Sequence, residues 1–201
     1  MGAMGRYLVC VTGASGSIYG VRLLAALVRA GAEAHLVATD WGRKVLREET
    51  GLSLEAHVAA LGPEAGARVF IHEASDLAAP VSSGSFRLDG TVIAPCSMGT
   101  IGALASGLSA NLVQRSGAVA LKEGWPLVLV PRESPLSLIA LRNFVALREA
   151  GATIMPASPA FYGRPETIDE LVDQIVQRVL DHLGVPCPGA RRWKDEGEER
   201  E

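Results

Sequence analysis

Two short segments, Gly13-Ala14-Ser15-Gly16 and Ser97-Met98-Gly99-Thr100, combine glycine, small side chains and hydroxyls. Segments of this kind bind phosphate where they open a helix. The first N–H groups of a helix have no intrahelical acceptor, and the macrodipole favours an anion there. Gly13 and Gly16 would let the backbone turn tightly and approach a ligand, and the Ser15 hydroxyl can donate to a phosphate or to a cofactor ring. A second set is cationic: Arg115, Lys122, Arg132 and Arg178 could bind a separate phosphate, while each taken singly reads as a solvated charge. Glu48 and Glu49 close a predicted helix, where a carboxylate opposes the dipole. That misfit points to another job for one of the two.

The elements that position these residues follow from periodicity. Tyr7 to Val11 is a buried-strand pattern, and Ile18, Val21, Leu24, Ala25 and Val28 are spaced for one helix face ending at Gly31. Further strands are predicted over 33–39, 68–72, 91–95, 125–131 and 152–156. Predicted helices cover 40–51, 101–105, 110–123 (capped by Ser109), 136–150 (with Pro135 in its first turn) and 168–183. Residues 52–63 are ambiguous, and 76–90 form a long Ser-, Gly- and Pro-rich loop. The 136–150 helix has Leu138, Leu141, Val145 and Leu147 to bury. Thr167 and Glu170 make a capping-box pattern before a clean amphipathic stripe. Strands alternating with helices predict a single-domain, doubly wound parallel sheet, a Rossmann- or flavodoxin-like three-layer sandwich. Residues 4–190 form that domain and 191–201 a charged tail, with Met1-Gly-Ala set aside as a remnant ahead of Met4. In such sheets the strand C-termini share one ligand-binding rim, which here collects Ser15, Thr39, Ser97 to Thr100, Arg132, Glu133 and the Tyr162 loop. Thr39 fits either a ligand contact or the N-cap of the next helix.

Composition narrows the chemistry. The chain has 201 residues, 48% hydrophobic and 20% charged, with a net charge of -3, which gives no electrostatic case for nucleic acid. No apolar run is long enough to span a membrane, and the N-terminus lacks a signal-peptide pattern. Three scattered cysteines imply neither a disulfide framework nor a zinc knuckle, and fit a cytoplasmic protein. His35, His57, His72 and His182 show no ligand spacing, and each reads as a surface or strand-edge histidine. There is no G-x-S-x-G elbow, no P-loop and no G-x-G-x-x-G. A mononucleotide such as FMN, its phosphate held by the hydroxyl-rich turns, fits the remaining donors.

Thr12-Gly-Ala-Ser-Gly16, Ala94-Pro-Cys-Ser-Met98, Ser106-Gly107 with Asn111 and Arg115, Leu121-Lys-Glu123, Val130-Pro-Arg-Glu133 with Pro135-Leu136, Pro159-Ala-Phe-Tyr162 and Arg178-Val-Leu-Asp181 occur in order along the chain. In these motifs, from about Arg6 to Trp193, the sequence resembles the flavin prenyltransferase family (UbiX-like, formerly described as aromatic acid decarboxylases). The resemblance implies a metal-independent prenyltransferase. It would join the dimethylallyl group of dimethylallyl monophosphate to N5 and C6 of reduced FMN. The prenylated FMN would serve a UbiD-like partner decarboxylase, including in ubiquinone biosynthesis. It further implies a homo-oligomer, a dodecamer, with sites built from several subunits.

Residue by residue, the resemblance assigns FMN binding to Gly13, Ala14, Ser15, Thr39, Ser97, Met98, Gly99, Thr100 and Arg132. Thr39 stands where the family often has Ser. Lys122, Tyr162 and Arg178 match residues that hold the dimethylallyl phosphate, and Arg115 a supporting basic position. Some members carry Lys at the Arg178 position, which keeps the charge but changes the geometry. Ser15 and Glu49 would handle protons around flavin N5. Glu133 would assist proton transfer during ring closure, with the released phosphate as a possible base. These carboxyls would need a pKa adjusted by burial. Trp193 matches a C-terminal tryptophan in a tail that covers the site in some members. Two alternatives stand beside this reading: an FMN-dependent cysteine decarboxylase of the same wider group, and a non-catalytic FMN carrier. The first is disfavoured by Pro95-Cys-Ser-Met where those enzymes have a Pro-Ala-Ser-Ala-Asn-type turn. For a carrier, the extra cations and carboxylates would be unnecessary.

Overall fold

The computed structural model describes residues 5–187. Six strands, β1 (Arg6–Val11), β2 (Glu33–Ala38), β3 (Val69–Glu73), β4 (Gly90–Cys96), β5 (Leu127–Pro131) and β6 (Thr153–Ile154), form one sheet in the order β3-β2-β1-β4-β5-β6. Every neighbouring pair is parallel. The helices are α1 (Ser17–Arg29), α2 (Asp40–Thr50), α3 (Leu54–Ala59), α4 (Pro63–Gly66), α5 (Met98–Ala105), α6 (Leu112–Glu123), α7 (Leu138–Glu149) and α8 (Ile168–Leu183). The strand order reverses between β1 and β4, the switch point at which open α/β sheets leave a crevice beyond the strand C-termini. Both glycine-hydroxyl segments leave the sheet from those two strands.

Alternation along each strand divides the core into two layers. Val9, Leu36, Val92 and Val128 pack with α1, α2, α3 and α8. Leu8, Cys10, Val37, Ile93 and Leu129 pack with α5, α6 and α7. The approach of α1 to β4 is close enough that a Cβ at Gly20 would lie 2.3 Å from the Ala94 carbonyl oxygen. Only glycine lets the helix sit that low on the sheet.

Several local expectations are corrected. Asn111, not Ser109, caps α6, its side chain accepting from the Gln114 N–H at 3.0 Å. Ser137 caps α7, accepting from the Ala140 N–H at 3.1 Å, so Pro135 precedes the helix instead of lying in its first turn. α5 begins at Met98, three residues earlier than the apolar pattern suggests, because Ser97 caps it. In α7 only Ala140 and Leu147 are buried, whereas Leu138, Ile139, Leu141 and Val145 are exposed. Spacing marks an apolar face and cannot tell a core from a surface that another molecule covers. His35 is no surface histidine either. It is buried, hydrogen-bonded to His72 at 2.8 Å and to Glu33 at 3.0 Å. Residues 191–201, and Trp193 among them, lie outside the described residues.

Candidate active site

The rim is held together by one buried hydroxyl. Thr12, 1% exposed, follows β1. Its Oγ1 donates to the Pro95 carbonyl at 2.7 Å and accepts from the Ser97 N–H at 2.8 Å, while its own N–H donates to Pro95 O at 3.2 Å. A hydroxyl can donate and accept at once, so a single side chain locks the turn after β1 to the turn after β4. Sequence reasoning gave Thr12 no role, since nothing local marks a hydroxyl whose partners lie more than eighty residues away.

The β1 turn then departs from the expected phosphate cradle. Gly16 caps α1 in the left-handed region, φ 103°. The first N–H groups of α1 are already occupied. Glu49, from the last turn of α2, accepts from Gly16 N–H at 3.0 Å and from Ser17 N–H at 2.8 Å. The anion at this helix N-terminus is therefore a carboxylate of the chain itself, which resolves the misfit at the end of α2. Burial alone would raise the Glu49 pKa. Hydrogen bonds from the Ser15 hydroxyl and from the N–H groups of Ser17 and Gly16 outweigh it and hold the carboxyl below its ordinary range. Glu49 is thus tuned towards the charged form, and by hydrogen bonding where burial had been expected to set it. Gly13 packs under α2, where a Cβ would come 2.6 Å from the Trp41 Cβ.

The β4 turn is the open one. Ser97 Oγ accepts from the Thr100 N–H at 3.3 Å and lies 3.1 Å from the Thr100 hydroxyl. Thr100 is buried, Met98 half-buried and Gly99 exposed. Among the described hydrogen bonds no carboxylate accepts from the first turn of α5. Thr39 turns out to be the N-cap of α2, accepting from the Gly42 N–H at 3.0 Å. That bond uses a lone pair, so its O–H can still donate. Arg132 follows β5, and its Nε donates to the Ser15 carbonyl at 3.3 Å. Glu133 beside it is exposed and accepts from the Ser134 N–H at 3.0 Å. Ser15, Glu49, Thr39, Ser97 to Thr100, Arg132 and Glu133 are thus brought to one rim.

A match to the Flavoprotein family spans residues 3–180. A relative from Streptomyces sp. (strain D7), described as a probable UbiX-like flavin prenyltransferase, is 47% identical over 189 residues, covering 94% of this chain and 91% of the relative. The chain belongs to the UbiX-like flavin prenyltransferase family. Two solved members superpose closely. AnUbiX (PadA1), in complex with FMN and dimethylallyl pyrophosphate, is 42% identical with a TM-score of 0.88, covering 96% of this chain and 99% of that one. The dodecameric FMN-dependent UbiX-like decarboxylase from Escherichia coli O157:H7 is 46% identical with a TM-score of 0.87, covering 94% and 100%.

Of the remaining family-type positions, Lys122 and Arg178 lie away from the rim within one chain. Lys122 ends α6 and pairs with Glu123 at 2.7 Å. The chain passes from there through Gly124 to the start of β5, so Lys122 sits at the opposite end of the sheet from Ser15 and Ser97. Arg115, also on α6, donates from Nε to the Ser82 carbonyl at 3.1 Å. Arg178 is exposed on α8 and lies 3.4 Å from Asp181 Oδ2. Ten residues separate it from the start of that helix at the rim, about 15 Å along the axis. Tyr162 is 61% exposed in the segment between β6 and α8. Among the described residues no cluster of three or more His, Cys, Asp or Glu is placed to hold a metal ion. No described helix is long and apolar enough to cross a membrane.

Proposed function

We propose that this chain transfers the dimethylallyl group of dimethylallyl monophosphate to N5 and C6 of reduced FMN, giving prenylated FMN and inorganic phosphate. The observation that carries this reading is the rim that Thr12 locks together in a chain of this family. In that rim the N-terminus of α1 is closed by an ionised Glu49, and no carboxylate among the described residues accepts from the N-terminus of α5. The donor set suits a mononucleotide. First-turn N–H groups of α5, the hydroxyls of Thr39, Ser97 and Thr100, and the Arg132 guanidinium supply hydrogen bonds and charge for one phosphate. Gly13, Ala14, Ser15 and Met98 offer small or apolar contacts for a ring. These residues would hold FMN, which supplies the nucleophilic ring atoms when bound in its reduced form.

The chain's own groups would then act as follows. Glu49 fixes the Ser15 turn and accepts the Ser15 O–H, which leaves the Ser15 oxygen to accept a hydrogen bond or a proton at the ring. Glu133 takes part in proton removal during ring closure, with the departing phosphate. Lys122, Tyr162 and Arg178, supported by Arg115, bind the substrate phosphate and neutralise the charge that develops as it leaves, the task a metal performs elsewhere. Because Lys122 lies at the far end of the sheet, it would serve the rim of a neighbouring copy. The exposed apolar face of α7 suits assembly, and a dodecamer like that of the Escherichia coli relative is the form we assign. The product would pass to a UbiD-like decarboxylase in the cytoplasm, with ubiquinone biosynthesis as one destination.

The test is phosphate release under anaerobic conditions. Release should require dimethylallyl monophosphate and reduced FMN together and should stop at one phosphate per flavin. Release that is indifferent to flavin would show a phosphatase and end this reading.

A further inference from the structure

Between β6 and α8 the chain crosses the rim as an irregular segment carrying Tyr162. Its C-terminal end is fixed by the capping box of Thr167 and Glu170, and by the Glu166 N–H donating to Glu170 Oε2 at 2.6 Å. Its middle is held by one side chain of α8. The Ala160 N–H donates to Gln174 Oε1 at 2.9 Å. On the other side of Tyr162, a Cβ at Gly163 would stand 3.9 Å from Gln174 Nε2. One carboxamide therefore bonds the backbone before Tyr162 and lies beside Gly163 after it. The turn between needs such a hold, since Arg164 lies at φ 49°, a left-handed conformation uncommon for a long side chain. The Arg164 N–H closes the turn onto the Phe161 carbonyl at 3.0 Å. Gln174 is four residues before Arg178, one turn along the same face of α8.

We propose that Gln174 is a positioning residue that clasps the Tyr162 turn to the helix bearing Arg178 and so sets the spacing of two groups that grip the substrate phosphate. The inference rests on the assignment of Tyr162 and Arg178 to that phosphate. Nothing in the motif pattern points to Gln174, because its effect runs through a backbone N–H fourteen residues away.

The experiment compares Gln174→Met, which keeps length and bulk but cannot accept the bond, with Tyr162→Phe, Arg178→Ala and the Gln174→Met/Tyr162→Phe double variant. Loss of one such hydrogen bond should raise KM for dimethylallyl monophosphate about 5–10-fold while leaving kcat and the FMN Kd within about twofold. In the Tyr162→Phe background the same substitution should add almost nothing. Amide exchange should speed up in residues 158–165 and stay unchanged in α8. If Tyr162→Phe raises KM while Gln174→Met does not, or if the two effects multiply, the clasp is refuted and the phosphate assignment stands. If neither Tyr162→Phe nor Arg178→Ala changes KM, the assignment fails and takes the clasp with it. Should Gln174→Met not fold, Gln174→Glu retains an acceptor oxygen and must keep the slow exchange of 158–165; loss of that protection overturns the inference.

Discussion

Thr12→Val isolates the claim that one hydroxyl locks the two halves of the rim. Valine matches threonine in shape but neither donates nor accepts. The substitution removes the bond to Pro95 O at 2.7 Å and the bond from Ser97 N–H at 2.8 Å, at a site 1% exposed. Two bonds at about 1 kcal/mol each set a floor near 2 kcal/mol, and leaving the Ser97 N–H without its acceptor raises the cost towards 4 kcal/mol. The Pro95 carbonyl keeps its bond from the Thr12 N–H, which limits the loss. For a chain of this size that corresponds to a fall in Tm of roughly 4–16 °C. FMN affinity should fall further than stability alone requires, about tenfold, because each turn supplies part of one ligand site. Thr12→Ser keeps the hydroxyl and should remain within about 1 kcal/mol of the parent. The assays are thermal unfolding and quenching of flavin fluorescence on binding. A valine variant that melts within about 2 °C of the parent and binds FMN within about twofold would refute the reasoning.

Three other outcomes follow from the same geometry. Gly20→Ala should destabilise by roughly 1–3 kcal/mol or more in urea unfolding, since its Cβ would meet the Ala94 carbonyl oxygen at 2.3 Å and lift α1 off β4. Glu49 is held below its ordinary value of 4.5, so below that pH the native chain binds fewer protons than the unfolded one and stability rises with pH. Glu49→Gln should therefore cost roughly 0.5–1 kcal/mol near neutral pH, with the difference from the parent shrinking as pH falls below 4.5, read from urea titrations across pH. A gap that widens on acidification would contradict the ionised state of Glu49. Ser15→Ala and Lys122→Ala should each abolish prenyl transfer, whereas oligomers assembled from both variants should recover activity at up to about a quarter of their sites. No recovery in verified mixed assemblies would show that Lys122 and Ser15 serve the same chain's site.

Much of this was legible in order along the chain. Strand and helix alternation, glycine punctuation and hydroxyl-rich turns located the sheet, its rim and the Ser97 to Thr100 segment, because those signals are local. The capping box before α8 was equally local and is present. What escaped depends on contacts between distant segments. Thr12 looks like any strand-end threonine until Pro95 and Ser97 are beside it. The Gly13 to Gly16 turn resembles a phosphate cradle until Glu49 arrives from α2 to occupy it. Ser109 and Asn111 are both plausible caps, and only the backbone path shows Asn111 accepting from Gln114. Leu138, Leu141 and Val145 carry a core-like spacing on a face that one chain leaves exposed. Lys122 illustrates the limit most sharply. Its motif is local, but its place at the far end of the sheet comes from topology.

The most direct test of prenyl transfer is the mass of the flavin after a single anaerobic turnover. Protein, reduced FMN and dimethylallyl monophosphate are mixed, quenched, and the extracted flavin is weighed. The expected result is FMN heavier by one C5H8 unit in the parent and unmodified FMN in Ser15→Ala. Unmodified FMN from parent protein shown to bind both ligands would contradict the assignment and leave a flavin carrier in its place.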